Sequence, residues 1–197
     1  GLSNAIKVLE NTNGIGFTNF SSRDVVRHPL VRKIIDAYEY FEDKIKTWVS
    51  LSIINHNNFK VDKPLSDKLN HAFELICVEE GLSNCSVNIK IVDNNEIENL
   101  NKKFRNKDRP TNVLSFTNED ISRRITNNLG DIAISYEYVE RESKEQDKKF
   151  DDHIVHMFIH GIYHILGFDH ENDPMADKME NKEIILLKKL NINNPYN

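Results

Sequence analysis

"KKFDDHIVHMFIHGIYHILGFDH", residues 148–170, decides how this chain is read. It predicts one long helix that ends at Gly167. On that helix His160 and His164 lie one turn apart on the same face, the spacing that two metal ligands on one helix require. Gly167 lets the chain turn, and Phe168 and Asp169 lead to His170, which can return over the first two rings. Three imidazoles leave a tetrahedral ion one open position, the mark of a catalytic rather than a structural site. His153 and His156 share the stripe. Three ligands on one straight helix would span about 12 Å, too far for one ion. His156 is therefore expected behind the ligands or in the core, and His153 in solvent. Nitrogen donors without thiolates suit zinc, nickel or copper.

Around this helix the chain reads as α+β. "TWVSLSIINH" is a strand, "PLSDKLNHAFELICVEEGL" an amphipathic helix capped near Gly81, and "CSVNIKIVD" a half-buried strand. "NNEIENLNKKFR" is a short helix opened by asparagine, "NVLSF" and "GDIAISYEYV" are strands, and "DPMADKMENKEIILLKKLNI" is a final helix. The order predicts a small mixed β-sheet covered by helices, with the metal site at the end of the long helix. Upstream, "GIGFTNF" reads as a strand, and a helix begins near Pro29. The chain thus divides into residues 1–46 and 47–197.

Bulk properties set limits. The 197 residues are 39% hydrophobic and 29% charged, ordinary for a globular chain with one real core. A net charge of −5 draws the protein to neither nucleic acid nor anionic membrane, so RNA binding needs a local basic patch. The two cysteines, Cys77 and Cys85, form no C-x-x-C and are expected to be reduced and buried. No apolar run approaches a membrane span, and no signal segment opens the chain, so a cytoplasmic location is expected.

The basic patch is "LNKKFRNKDRPTNVLSF", residues 100–116, with Lys102, Lys103, Arg105, Lys107 and Arg109. Arginine holds phosphate bidentately, and lysine as a point charge. Most such runs are solvated loops. This one precedes a candidate hydrolytic metal site. A zinc peptidase carries glutamate directly after its first histidine, where this chain has Gly161.

These blocks, with "LGDIAIS" at 129–135, resemble the three signature blocks of the YbeY family, bacterial metal-dependent endoribonucleases of ribosomal RNA maturation. The resemblance runs in order from about residue 47 to the C-terminus. It implies that His160, His164 and His170 bind one metal ion, usually zinc with Ni²⁺ a possible substitute. It also implies that Arg105 is the catalytic arginine in a cleft for single-stranded RNA. Lys102, Lys103, Lys107 and Arg109 are expected to steer the RNA backbone, and Asp169 and His156 to support the ligands. The expected substrate is precursor ribosomal RNA at the 16S 3′ end. Ribosomal small-subunit proteins and an assembly GTPase are the expected partners, with a role in ribosome quality control and no membrane. The alternatives are a zinc metallopeptidase and a non-catalytic ribosome-assembly module with a structural metal.

"GIGFTNFSSRDVVRHPLVRKIIDAYEYFE", residues 14–42, resembles instead the C-terminal end of PhoH-type ATPases. The chain has no G-x-x-x-x-G-K-[ST] loop, so it has no phosphate cradle of its own. The segment is read as part of a PhoH–YbeY fusion or as an upstream extension, with a fused or adjacent ATPase as partner. It is expected to pack loosely and to be cut by protease near Lys44–Lys46.

Overall fold

Val87, Ile89 and Ile91 alternate with polar residues in "CSVNIKIV", and all three are fully buried, so one face of this strand carries the main core. The structure is a computed structural model that describes residues 48–119, 126–170 and 173–196. The strand and helix read before Thr47, and the expected cleavage near Lys44–Lys46, lie outside the described residues. The described part forms one unit from Trp48 onward.

Its elements in chain order are β1 (Val49–Ile54), α1 (Lys63–Glu79), β2 (Cys85–Val92), α2 (Asn94–Arg105), β3 (Val113–Thr117), β4 (Asn128–Ser135), α3 (Tyr136–Glu145), α4 (Phe150–Ile165) and α5 (Asp173–Lys189). The four strands make one sheet in the order β1-β2-β4-β3. β1 pairs parallel with β2, and β2 with β4, while β3 runs antiparallel to β4. The sheet is therefore mixed and the class α+β, as expected. No described helix is long and apolar enough to cross a membrane.

Strand pleating sorts the core. Ile132 and Ile134 of β4 pack with Leu69, Phe73 and Ile76 of α1 and with the apolar face of α4. Ala133, between them, faces the other way and joins Val92, Leu114 and Ile97 of α2. α2 thus covers one face of the sheet, and α1, α4 and α5 pack with the other. Cys77 and Cys85 are buried and free in this main core, but they are not isolated: their sulfurs lie 3.8 Å apart.

Three sequence readings change. α2 is opened by Asp93 rather than by asparagine: its carboxylate accepts the Glu96 N–H at 2.8 Å, a cap worth about 1 kcal/mol. "GDIAISYEYV" is not all strand. β4 stops at Ser135, whose hydroxyl accepts the Tyr138 N–H and caps a helix that the sequence reading missed. Tyr136, Tyr138 and Val139 have strand propensity, yet the cap and the following "ERESKE" outweigh it. That helix, α3, also overturns the expectation for His153. The ring is only 4% exposed, because Glu142 of α3 lies against it at 3.1 Å.

Gly130 lies inside β4 beside the irregularity where the β2 register shifts. An added Cβ there would sit 2.3 Å from the Phe116 carbonyl oxygen, so only glycine lets β3 and β4 approach.

Candidate metal centre and phosphate cleft

α4 is buried on nearly every side, from His153 through Ile165, as befits a helix enclosed by a sheet and three other helices. Its last turn brings the histidines together. Leu166 caps the helix and Gly167 follows at φ 87. The Gly167 N–H donates to the His164 carbonyl at 3.0 Å, and the Phe168 N–H to the Tyr163 carbonyl at 2.9 Å. This is the paired closure of a left-handed helix end, and the ring contact between Phe168 and Tyr163 at 5.2 Å completes it. The reversal delivers His170 to the other two rings, with centroids 5.5 Å from His160 and 5.1 Å from His164.

One nitrogen from each of His160, His164 and His170 falls within 4.8 Å of the others, so this trio can hold a metal ion. The hydrogen bonds behind the rings test the fit. His160 Nδ1 lies 2.9 Å from Glu183 Oε1, and His164 Nδ1 lies 3.1 Å from the Phe168 carbonyl oxygen. Both partners accept only, so each Nδ1 carries the proton and each Nε2 offers a bare lone pair. The two Nε2 atoms are 3.0 Å apart. Two lone pairs facing at that distance repel unless a proton or a metal ion sits between them. Nitrogens each about 2.0–2.1 Å from a tetrahedral zinc ion lie about 3.3–3.4 Å apart, close to what is found. Burial, with His160 and His170 nearby, also pushes the His164 pKa down, which favours the neutral ligand form.

Glu183 is the residue that sequence reading missed. It is fully buried in α5. Burial alone would raise its pKa, but hydrogen bonds from His156 and His160 outweigh that and hold it at about 2. His156 donates from Nε2 to Glu183 Oε2 at 2.9 Å, and the Tyr196 hydroxyl reaches the same oxygen. His156 therefore stands behind the three-histidine cluster, tied to His160 through Glu183. A signal was present: Met179, Glu183, Leu186 and Leu187 share the buried stripe of α5, and a carboxylate on an apolar stripe needs a partner. Asp169 Oδ1 accepts the backbone N–H of His170 at 2.7 Å and so shapes the turn.

Arg105, at the end of α2, lines a cavity of about 190 Å³ with Thr111, Asn112, Val113, Ser115 and the three histidines. A second hollow, also of about 190 Å³, shares Arg105 and Thr111 and adds Lys107 and Arg109. Lys102 and Lys103 line neither hollow. Lys102 pairs with Asp108 at 2.7 Å, and the Lys103 ammonium sits 5.1 Å over the Phe104 ring. The loop between α2 and β3 is held at both ends. The buried Asn101 donates to the Arg109 carbonyl at 2.8 Å, and Asn112 donates to Glu142 at 3.1 Å. Thr111 and Asn112 are thus walls and anchors of the cleft.

Gly161 explains why no peptidase glutamate stands there. A Cβ would lie 2.9 Å from Ser115 Oγ and 3.2 Å from Ile132 Cδ1, so position 161 is packed against β3 and β4 and has no room for a glutamate.

Comparison with known proteins agrees with this arrangement. The model of a family described as Endoribonuclease YbeY matches residues 51–191. A second family model, PhoH-like protein, matches residues 1–39. The Endoribonuclease YbeY of Francisella philomiragia is 44% identical over 152 residues, 75% of this chain and 95% of that protein. That of Francisella tularensis subsp. novicida is 43% identical over 75% of this chain and 93% of its own. A solution structure of a Thermotoga maritima protein matches with a TM-score of 0.51 at 27% identity, covering 75% of this chain and 96% of that one. A three-histidine cluster beside an arginine-lined cleft, on a mixed sheet whose sequence matches along most of its length, places this chain in the YbeY endoribonuclease family.

Proposed function

We propose that this protein is a metal-dependent endoribonuclease that cleaves single-stranded ribosomal RNA precursors, with the 3′ end of 16S RNA as its target and a part in ribosome quality control. The observation that carries the reading is the convergence of three imidazole nitrogens in a cavity that Arg105 also lines. The endoribonuclease names of the curated relatives support it. His160, His164 and His170 hold the ion, which we take to be zinc, with Ni²⁺ able to substitute. The bound ion supplies Lewis acidity at a phosphoryl oxygen. Arg105 places its guanidinium fork on the scissile phosphate and offsets the negative charge that develops there. Lys107 and Arg109 guide the flanking phosphates along the second hollow, while Lys102 and Lys103 act only at longer range.

Residues 47–197 are the nuclease domain, and 1–46 a PhoH C-terminal-like segment with a fused or adjacent ATPase as its natural partner. A chain of net charge −5 gains RNA affinity from small-subunit ribosomal proteins and an assembly GTPase. Ribosomal RNA as substrate places the protein in the cytoplasm. A peptidase lacks room for its base at Gly161. A structural metal site would be closed by a fourth protein ligand, and among the described residues the cluster has three.

The test is cleavage of a single-stranded ribosomal RNA fragment by zinc-loaded protein, by chelated protein and by a His164→Ala variant purified identically. Cleavage only by the first is expected. Equal cleavage by all three, or by none in the presence of ribosomal subunits, refutes the proposal.

A further inference from the structure

We infer that Tyr196, near the C-terminus, is a positioning residue for the histidine site. Its hydroxyl fixes the orientation of the Glu183 carboxylate, and that carboxylate in turn holds the His160 ring. The inference rests on the metal-binding part of the function proposed above and extends it to a segment outside the cluster.

Glu183 has no solvent-exposed surface, so its two oxygens have only protein donors. They are divided between two tasks. Oε1 receives the His160 Nδ1–H at 2.9 Å, while Oε2 receives the His156 Nε2–H at 2.9 Å and the Tyr196 O–H. The terminal torsion of a glutamate is broad and two-fold, so one donor leaves the carboxylate free to swing. Two donors converging on Oε2 pin the group and leave Oε1 aimed at His160. Tyr196 is itself held. Its ring meets the His156 ring edge-on at 5.6 Å, and the Lys148 ammonium donates to the Pro195 carbonyl at 2.9 Å. A side chain 42% exposed at the protein surface is thereby linked through one buried carboxylate to a ligand ring. Such carboxylate–histidine contacts fix the tautomer and the direction of the lone pair that a metal needs. The tail after α5 therefore completes the site without touching it.

Four forms of the full 197-residue chain test this: wild type, Tyr196→Phe, Glu183→Gln and the double variant. Zinc affinity is read by competition with a chromophoric chelator. The exchange rate of the His160 Nδ1 proton is read by NMR in the metal-free protein. Glu183→Gln weakens zinc binding about 10- to 100-fold. Tyr196→Phe, a mild change at a half-exposed ring, weakens it about 3- to 10-fold and speeds exchange of the His160 proton. The double variant binds no more weakly than Glu183→Gln, because the tyrosine acts only through the carboxylate. Wild-type zinc affinity in Tyr196→Phe, or a tyrosine effect that adds in full on top of Glu183→Gln, overturns the inference. If the wild type binds no zinc, the metal reading fails by itself. The exchange rate still decides this proposal, and an unchanged rate in Tyr196→Phe refutes it.

Discussion

Replacing Gly161 with alanine sets two known effects against each other. In a helix interior the change normally stabilises by about 1 kcal/mol, since glycine has the more flexible unfolded chain. Here the added Cβ would meet Ser115 Oγ at 2.9 Å and two Ile132 carbons at 3.2 and 3.3 Å. Ser115 has a short side chain that can rotate away. Ile132 is 1% exposed, locked in the core, and cannot. Overpacking of this kind costs about 1–3 kcal/mol. The clash therefore wins, and Gly161→Ala should destabilise by about 1 kcal/mol, with an upper bound near 2. For a unit of this size that lowers the melting temperature by about 2–8 °C. α4 must also shift by a few tenths of an ångström, and His160 is the preceding residue, so zinc affinity should fall with stability. The assay is thermal unfolding of the metal-free protein, with chelator competition beside it. Ser115→Ala in the same chain removes the nearest contact and should restore part of the loss. A rise in melting temperature for Gly161→Ala alone would refute the packing argument and reopen position 161 to larger side chains.

Gly130→Ala should be far worse, because its Cβ meets a backbone oxygen at 2.3 Å and strands β3 and β4 would have to part. A loss of more than about 3 kcal/mol is expected, read as insoluble protein or a melting point lowered by at least about 6 °C; a soluble variant of near-wild-type stability contradicts this. Arg105→Ala should lower RNA cleavage about 10²- to 10³-fold with zinc content unchanged, and Arg105→Lys should recover little, because an ammonium lacks the bidentate fork. Full rescue by lysine would reduce Arg105 to a steering charge. The metal-free protein should lose stability in acid in two stages. Burial lowers the His156 and His164 pKa values, so below pH 6.5 the unfolded chain takes up protons that the folded chain refuses. Glu183 adds a second window: its carboxyl titrates near 4.5 when unfolded and at about 2 when folded, so about 3 kcal/mol, present above pH 4.5, is lost as pH falls towards 2. Denaturant unfolding between pH 7.5 and 3 reads both stages, and a flat profile rules them out.

Local spacing made the histidine trio legible. One helical turn separates His160 from His164, and a glycine at the helix end is enough to return His170, so short-range geometry settles the cluster. The alternation in β2 and the apolar stripe of α1 were legible for the same reason: each is a period within one element. The boundary at Ser135 was not, because strand-prone Tyr136 and Val139 read on as β until a cap and a packed helix outweighed them.

What lay beyond the sequence was long-range. Whether His153 faced water depended on α3 covering it, and the 3.8 Å approach of Cys77 to Cys85 depended on how α1 meets β2. The basic run and the family resemblance could nominate Arg105 but could not bring it to the histidines. That needed α2 to end where β3, at the sheet edge, meets α4. Glu183 shows the limit best. From the sequence alone it is a carboxylate on the apolar stripe of a charged helix, with nothing to say which groups meet it. The fold closes α5 over α4, removes water from the carboxylate and leaves it, among the described residues, His156, His160 and Tyr196 as partners. The histidine cluster was set by local backbone geometry, which a sequence encodes over a few residues. Its support was set by which distant groups share a water-free space, and only the packed tertiary structure determines that.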